Sequence, residues 1–142
     1  MTIETVYQGG LRSEATHLQS GTKIIIDAPT DNHGKGESFS PTDMVAAALG
    51  SCMLTIMDLT ASRLDIDLKG TRLEITKIMA ADPRRIAEIK IDFYMPGDYD
   101  DKCKAMLERA AHTCPVAKSL HPDLKQNIAF HYKKEGSCCC AK

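Results

Sequence analysis

Between Met44 and Leu59 the only strongly polar residue is Asp58; Ser51 and Thr55 are small hydroxyl residues and everything else is apolar or glycine. Ser40, Pro41, Thr42 and Asp43 precede this run and read as a helix start. Serine suits the N-cap, proline suits the first helical position, where no amide hydrogen is missed, and an acid three residues after the cap completes a capping box. The spacing predicts a helix to about Arg63. A helix apolar on nearly all sides has to be covered on nearly all sides. The run falls short of the roughly 20 residues a membrane span needs. Ala46, Ala47, Ala48, Gly50 and Ser51 also let neighbouring elements approach closely, so the expectation is a core or dimer helix and no membrane. A chain of 142 residues can bury a core of its own. Such a helix is still more than its own strands could cover, which turns "one domain" into half of a dimer.

The remaining pattern alternates between the two periods. Thr22 to Asp27 is a short β-branched run that ends in the turn-forming stretch Ala28 to Gly34. Ile89, Ile91, Phe93 and Met95 alternate with polar residues and predict a strand with one face on the core. The run Thr71 to Met79 pairs with it through Ala81, Asp82, Pro83 and Arg84 as a hairpin. Helical spacing returns over Asp98 to Ala111, with Met106, Leu107 and Ala110 on one side. Cys114 and Pro115 open a short helix, and Ile128, Phe130 and Tyr132 mark a last strand. Strand, helix, hairpin, helix, strand predicts an α+β fold. Residues 1–135 read as a single domain, and 136–142 as a cysteine-rich mobile tail.

Charge and motifs exclude several functions. Eighteen Lys plus Arg against 19 Asp plus Glu give a net charge of −1, without the broad cationic field of a protein that tracks phosphates, so nucleic acid is not an expected partner. Met1 to Gly10 holds no apolar stretch behind a basic start, so secretion is not supported and a reducing cytoplasm is expected. There is no phosphate-binding loop, dinucleotide fingerprint or nucleophile elbow. His112, Thr113, Cys114 and His121 make a poor zinc set without a paired C-x-x-C. No metal and no cofactor is expected.

Six cysteines in a reducing compartment need a reason. Cys52 lies in the apolar helix on a stripe with Val45, Leu49 and Ile56; a core cysteine is usually a small hydrophobe, made inert by burial unless a cation sits beside it. From a reference pKa near 8.5, about 3% of a thiol is ionised at pH 7; lowering the pKa by about three units, for about 4 kcal/mol, ionises nearly all of it. An arginine could supply that. Cys114 stands before a first-turn proline, at a helix N-terminus whose macrodipole favours the thiolate; a chance cysteine cap is the alternative. Cys103 reads as packing on the amphipathic helix. Cys138, Cys139 and Cys140 read as exposed thiols on the tail.

Two runs carry a resemblance. Phe39, Ser40, Pro41, Thr42, Asp43 with Ala46, Ala47, Ala48, Leu49, Gly50, Ser51, Cys52 resembles the central-helix signature of the OsmC/Ohr family. Cys114, Pro115, Val116, Ala117, Lys118, Ser119, Leu120 resembles that family's second-cysteine helix. In order, with a hairpin and a helix between them, they cover essentially Thr5 to Tyr132. The resemblance implies an OsmC-like fold: a swapped, intertwined homodimer with long central helices buried between sheets and active sites at the subunit interface. It further implies a peroxidase in which the thiolate of Cys52 attacks the O–O bond of an organic hydroperoxide. The resulting sulfenic acid condenses with Cys114 to a disulfide, and an external dithiol restores the pair.

The same resemblance implies an arginine that holds the thiolate and an acid at the helix start that orients it. Arg12 is the only arginine before the central helix, and Asp43 occupies the acidic place, one methylene shorter than the family's glutamate. Asp43 also serves the capping box with Ser40, which requires no catalysis. Met44, Met53, Leu54 and Met57 could line an apolar entrance for the substrate. Two other functions compete with the peroxidase: a non-enzymatic dimer that binds a small apolar ligand or senses redox state, and thiol-based metal handling by the tail.

Overall fold

The structure, a computed structural model, describes residues 1–133. Cys138, Cys139 and Cys140 lie outside the described residues. The chain divides into two compact units, one of Met1–Val45 and one from Ala46 onward.

In the first unit, β1 (Ile3–Gly9), β2 (Arg12–His17) and β3 (Lys23–Asp27) form an antiparallel sheet in the order β1-β2-β3. Only β3 was expected from the sequence. The strands β1 and β2 escaped notice because Ile3, Val6 and Tyr7 are all exposed, so no contrast between a core face and a solvent face is written into β1. The two strands join through Gly10 and Leu11, both at φ 61°, the backbone a tight two-residue hairpin needs. Beyond β3, a single 3-10 turn spans Thr30–Asn32.

The helix α1 (Pro41–Arg63) has the predicted bounds. Its capping box is made in both directions: Asp43 N–H donates to Ser40 Oγ at 3.1 Å, and Ser40 N–H donates to Asp43 Oδ2 at 3.0 Å. The expectation that the apolar run falls short of a membrane span does not hold for the whole helix. Its 23 residues and a hydropathy of 1.6 suffice, by length and composition, to cross a bilayer. One side, however, is a core stripe: Ala46, Leu49, Gly50, Met53, Met57 and Ala61 are buried. Full burial within one chain is not what is found, since Leu59 is 58% exposed and Ala48 is exposed.

In the second unit, β4 (Arg72–Ala80) and β5 (Arg85–Tyr94) form the expected antiparallel hairpin. Ile89, Ile91 and Phe93 are fully buried, as their alternation predicts. Next come α2 (Asp101–Ala111) and α3 (Pro115–Ser119), and then β6 (Lys125–His131), which pairs with β5 in parallel. A parallel pairing requires a crossover connection, and the two helices supply it. The cap of α2 is Asp100, which accepts from Cys103 N–H, and its buried stripe is Cys103, Leu107 and Ala111. Met106 and Ala110 flank that stripe, half-buried.

α1 meets β4 at Gly50, where a built Cβ would stand 2.7 Å from Ile75 Cδ1 and 3.0 Å from Leu73 Cδ2. Two effects compete in Gly50→Ala: a helix-propensity gain of about 1 kcal/mol and a clash that the end of the Ile75 side chain relieves by rotation. That variant is expected to be near neutral. Gly50→Val adds atoms that rotation does not clear and should destabilise by about 1–3 kcal/mol, measured as a lowered urea midpoint at unchanged m-value.

Candidate functional site

In the first unit, antiparallel pairing of β2 with β3 sets Arg12 directly opposite Asp27. The guanidinium grips the carboxylate with two bonds, Nε to Oδ1 at 2.7 Å and Nη2 to Oδ2 at 2.8 Å, and Nη2 also donates to Glu37 Oε2 at 3.0 Å. Asp27 is 1% exposed and Glu37 is exposed. A nearly buried carboxylate is tolerable when a bidentate arginine satisfies it. The Arg12 hydrogen bonds hold the Asp27 carboxyl below its ordinary range, against the upward push of burial. The two acids in turn hold Arg12 protonated more firmly than usual. Sequence reasoning singled out neither Asp27 nor Glu37. The signal for Asp27 is its cross-strand register with Arg12, legible only once β2 is recognised as a strand. Asp43 serves the capping box described above, at the first turn of α1.

In the second unit the structure brings Cys52 and Cys114 together. Both are free thiols, and Cys103, 4% exposed on α2, is not among the free ones. Cys52 keeps partial exposure on α1, while Cys114 is fully buried. Cys114 is the N-cap of α3, with Pro115 behind it at the first position, and its Sγ accepts from Ala117 N–H at 3.3 Å. The cap is as the sequence predicts, but its electrostatic consequence is reversed. Burial pushes the Cys114 thiol up, the Ala117 amide pulls it down less strongly, and hydrogen-bonding and charge interactions with Cys52 push it up further. Desolvation thus outweighs the helix N-terminus, and Cys114 rests as the neutral thiol.

The four methionine and leucine positions separate. Met53 and Met57 are fully buried, whereas Met44 and Leu54 are half-buried. Leu54 lines an open cavity of about 430 Å³ together with Ser51, Thr55 and Asp58 of α1 and residues 67–71. That lining mixes acids, a lysine and hydroxyls with two leucines, Leu54 and Leu68. His112 is exposed and meets Phe130 edge-on at 6.4 Å, and His121 Nδ1 accepts from Asp123 N–H at 3.0 Å.

The chain is thus an α+β protein with two sheets, one cysteine on a long apolar helix and a second capping a short one. The model of the family described as OsmC-like protein matches residues 34–128, and the chain belongs to that family. It is 52% identical to a protein from Psychrobacter arcticus assigned to the osmotic stress and detoxification response. That match covers 92% of this chain and 96% of the other, with a TM-score of 0.90. An organic hydroperoxide resistance protein, OsmC, from Legionella pneumophila shares 16% identity over 92% and 96% of the two chains, with a TM-score of 0.72. One from Elizabethkingia anophelis, with thiocyanate bound, shares 16% over 94% and 97%, with a TM-score of 0.68. At that identity these last two similarities show the fold alone. No curated protein matches the chain.

Two outcomes are expected. A carboxyl whose folded pKa is depressed contributes stability that is present above its unfolded pKa and lost as pH falls through the folded one. The Arg12–Asp27 pair should therefore contribute undiminished above about pH 4, near the unfolded aspartate value, and fade below it. Asp27→Asn should lower thermal stability at pH 7 and shrink that difference in acid, as read by melting curves across pH. The second outcome concerns the thiols. A buried thiol held neutral reacts slowly, so iodoacetamide at pH 7 should label Cys52 at least about tenfold faster than Cys114, as counted by peptide mass spectrometry.

Proposed function

We propose that this chain is a thiol-dependent peroxidase of the OsmC-like type that reduces organic hydroperoxides. The observation that carries the reading is the pairing of two free thiols within interaction range, one partly exposed and one buried and neutral. A partly exposed cysteine is open to a peroxide, and a buried neutral thiol is spared direct oxidation until it is needed. The Cys52 thiolate attacks one peroxide oxygen, the O–O bond breaks, and the second oxygen leaves as an alcohol after taking a proton. Cys52 is then a sulfenic acid. The Cys114 sulfur attacks the Cys52 sulfur, the S–O bond breaks, and water leaves with the Cys114 proton. An external dithiol reduces the disulfide and is itself oxidised.

Arg12 takes the thiolate-holding role and Asp43 the orienting role by resemblance to the family. Met44 and Leu54 keep partly exposed surface for an apolar substrate, while Met53 and Met57 support it from the core. The names of the Legionella and Elizabethkingia relatives support the substrate class. The functional unit is a homodimer, supported by the apolar surface of α1 that its own chain leaves exposed, Leu59 above all. Residues 1–135 act as one domain of this family, in the cytoplasm. The reaction needs no metal or cofactor.

One observation favours a redox-sensing or ligand-binding dimer instead. Arg12 already answers two carboxylates, Asp27 and Glu37, which offsets the positive charge a thiolate would use.

One experiment separates the two. Reduced protein is mixed with one equivalent of cumene hydroperoxide, and peroxide loss is followed together with disulfide mapping. The peroxidase consumes peroxide and forms the Cys52–Cys114 bridge. Cys52→Ser should fall to the uncatalysed background, and Cys114→Ser should consume the one equivalent and stop at the Cys52 sulfenic acid without a bridge, a second equivalent then carrying Cys52 to sulfinic acid. Unchanged consumption in Cys52→Ser would overturn the proposal. Arg12→Ala consuming peroxide at the wild-type rate would remove Arg12 from the site.

A further inference from the structure

We propose that Gln126 is the positioning residue for the Cys114 thiol, a role that rests on the Cys52–Cys114 redox pair proposed above. The starting point is the size of α3. Five residues, Pro115–Ser119, make too short a helix to hold itself in water. Its end groups therefore need partners from elsewhere. At the N-terminal end the partner is the thiol itself, which accepts from Ala117 N–H at 3.3 Å. At the C-terminal end the chain turns extended at Leu120, with φ −75° and ψ 151°. The Ala117 carbonyl is thus left without the helical donor four residues on. Gln126 supplies one: its Nε2 donates to Ala117 O at 3.0 Å in a part-buried bond. Residue 117 is held at both polar atoms, by the thiol at one and by Gln126 at the other.

The placement of Gln126 in the sheet gives the second reason. In the parallel β5–β6 pairing Gln126 stands opposite Ile89, Ile128 opposite Ile91, and Phe130 opposite Phe93. The three β5 residues are fully buried, so Gln126 continues an apolar row with a carboxamide. A polar group on a core-facing row costs free energy unless it is hydrogen-bonded, and the α3 carbonyl is what it bonds. When Cys114 becomes part of a disulfide its sulfur is a poorer acceptor, and the N-terminal hold on Ala117 weakens. The Gln126 bond is independent of the sulfur and keeps α3 in place through ring closure.

Diamide tests this without peroxide. It accepts two electrons and two protons from the two thiols: one sulfur adds to its N=N bond, and the other displaces the hydrazine and forms the disulfide. In full-length reduced protein, Gln126→Met removes the donor and nearly keeps the length. Cys52–Cys114 closure by diamide should slow about tenfold, the effect of one lost buried hydrogen bond. Iodoacetamide labelling of Cys52 should stay within about twofold of wild type. Gln126→Asn, one methylene too short to reach, should behave alike and serves if the methionine variant does not fold. Closure at the wild-type rate in a folded variant overturns the proposal, and so does a parallel loss in both readouts, which marks a general structural role. If the wild-type protein consumes no peroxide, the peroxidase reading fails while the diamide comparison still decides the role of Gln126.

Discussion

Everything in the second unit depends on where a long apolar helix can put its surface. α1 has more apolar circumference than one side can bury, and the chain solves part of the problem with a stripe of small and large residues, Ala46, Leu49, Gly50, Met53, Met57 and Ala61. Gly50 is the hinge of that solution, because the missing side chain is the space that Ile75 and Leu73 occupy. Cys52 stands beside this stripe rather than on it. That offset leaves Cys52 half-buried on a regular helix.

The thiol pair shows desolvation and helix electrostatics acting in opposition. Cys114 has the arrangement that lowers a thiol pKa: a helix N-terminus, a proline at the first position and an amide donor on the sulfur. Full burial and the neighbouring cysteine outweigh these. Under the proposed peroxidase reading the outcome suits a resolving thiol, since a neutral buried thiol competes poorly with Cys52 for oxidant. The first unit resolves a similar contest differently. Asp27 is nearly as buried as Cys114, yet it stays ionised because Arg12 meets both of its oxygens. Burial penalises the charged form in both places, and the difference lies in whether a full opposite charge is within reach.

Much of this was legible from residue order. The cap of α1, its length to Arg63, the β4–β5 hairpin, the core alternation of Ile89, Ile91 and Phe93, and the cysteine cap of α3 all follow from local rules whose partners lie within a few residues or in the next strand. What escaped depends on partners far along the chain. The strand β1 carries no burial contrast and β2 buries only the small Ala15, so Arg12 could be singled out without Asp27 being seen across from it. Gln126 reads as an ordinary polar residue until β6 is laid parallel to β5 and its neighbours in the row prove to be isoleucine and phenylalanine.

The sequence by itself determined the helices, the principal hairpin, the two cysteine motifs and the family to which they point, because capping, periodicity and motif order act over short distances. The tertiary structure alone decided the electrostatic state of Cys114, the carboxylates that hold Arg12 and the donor that completes α3. Each of these depends on how much water is removed from a group and on which distant side chain replaces it, and neither is a property of the residues next to it in the chain.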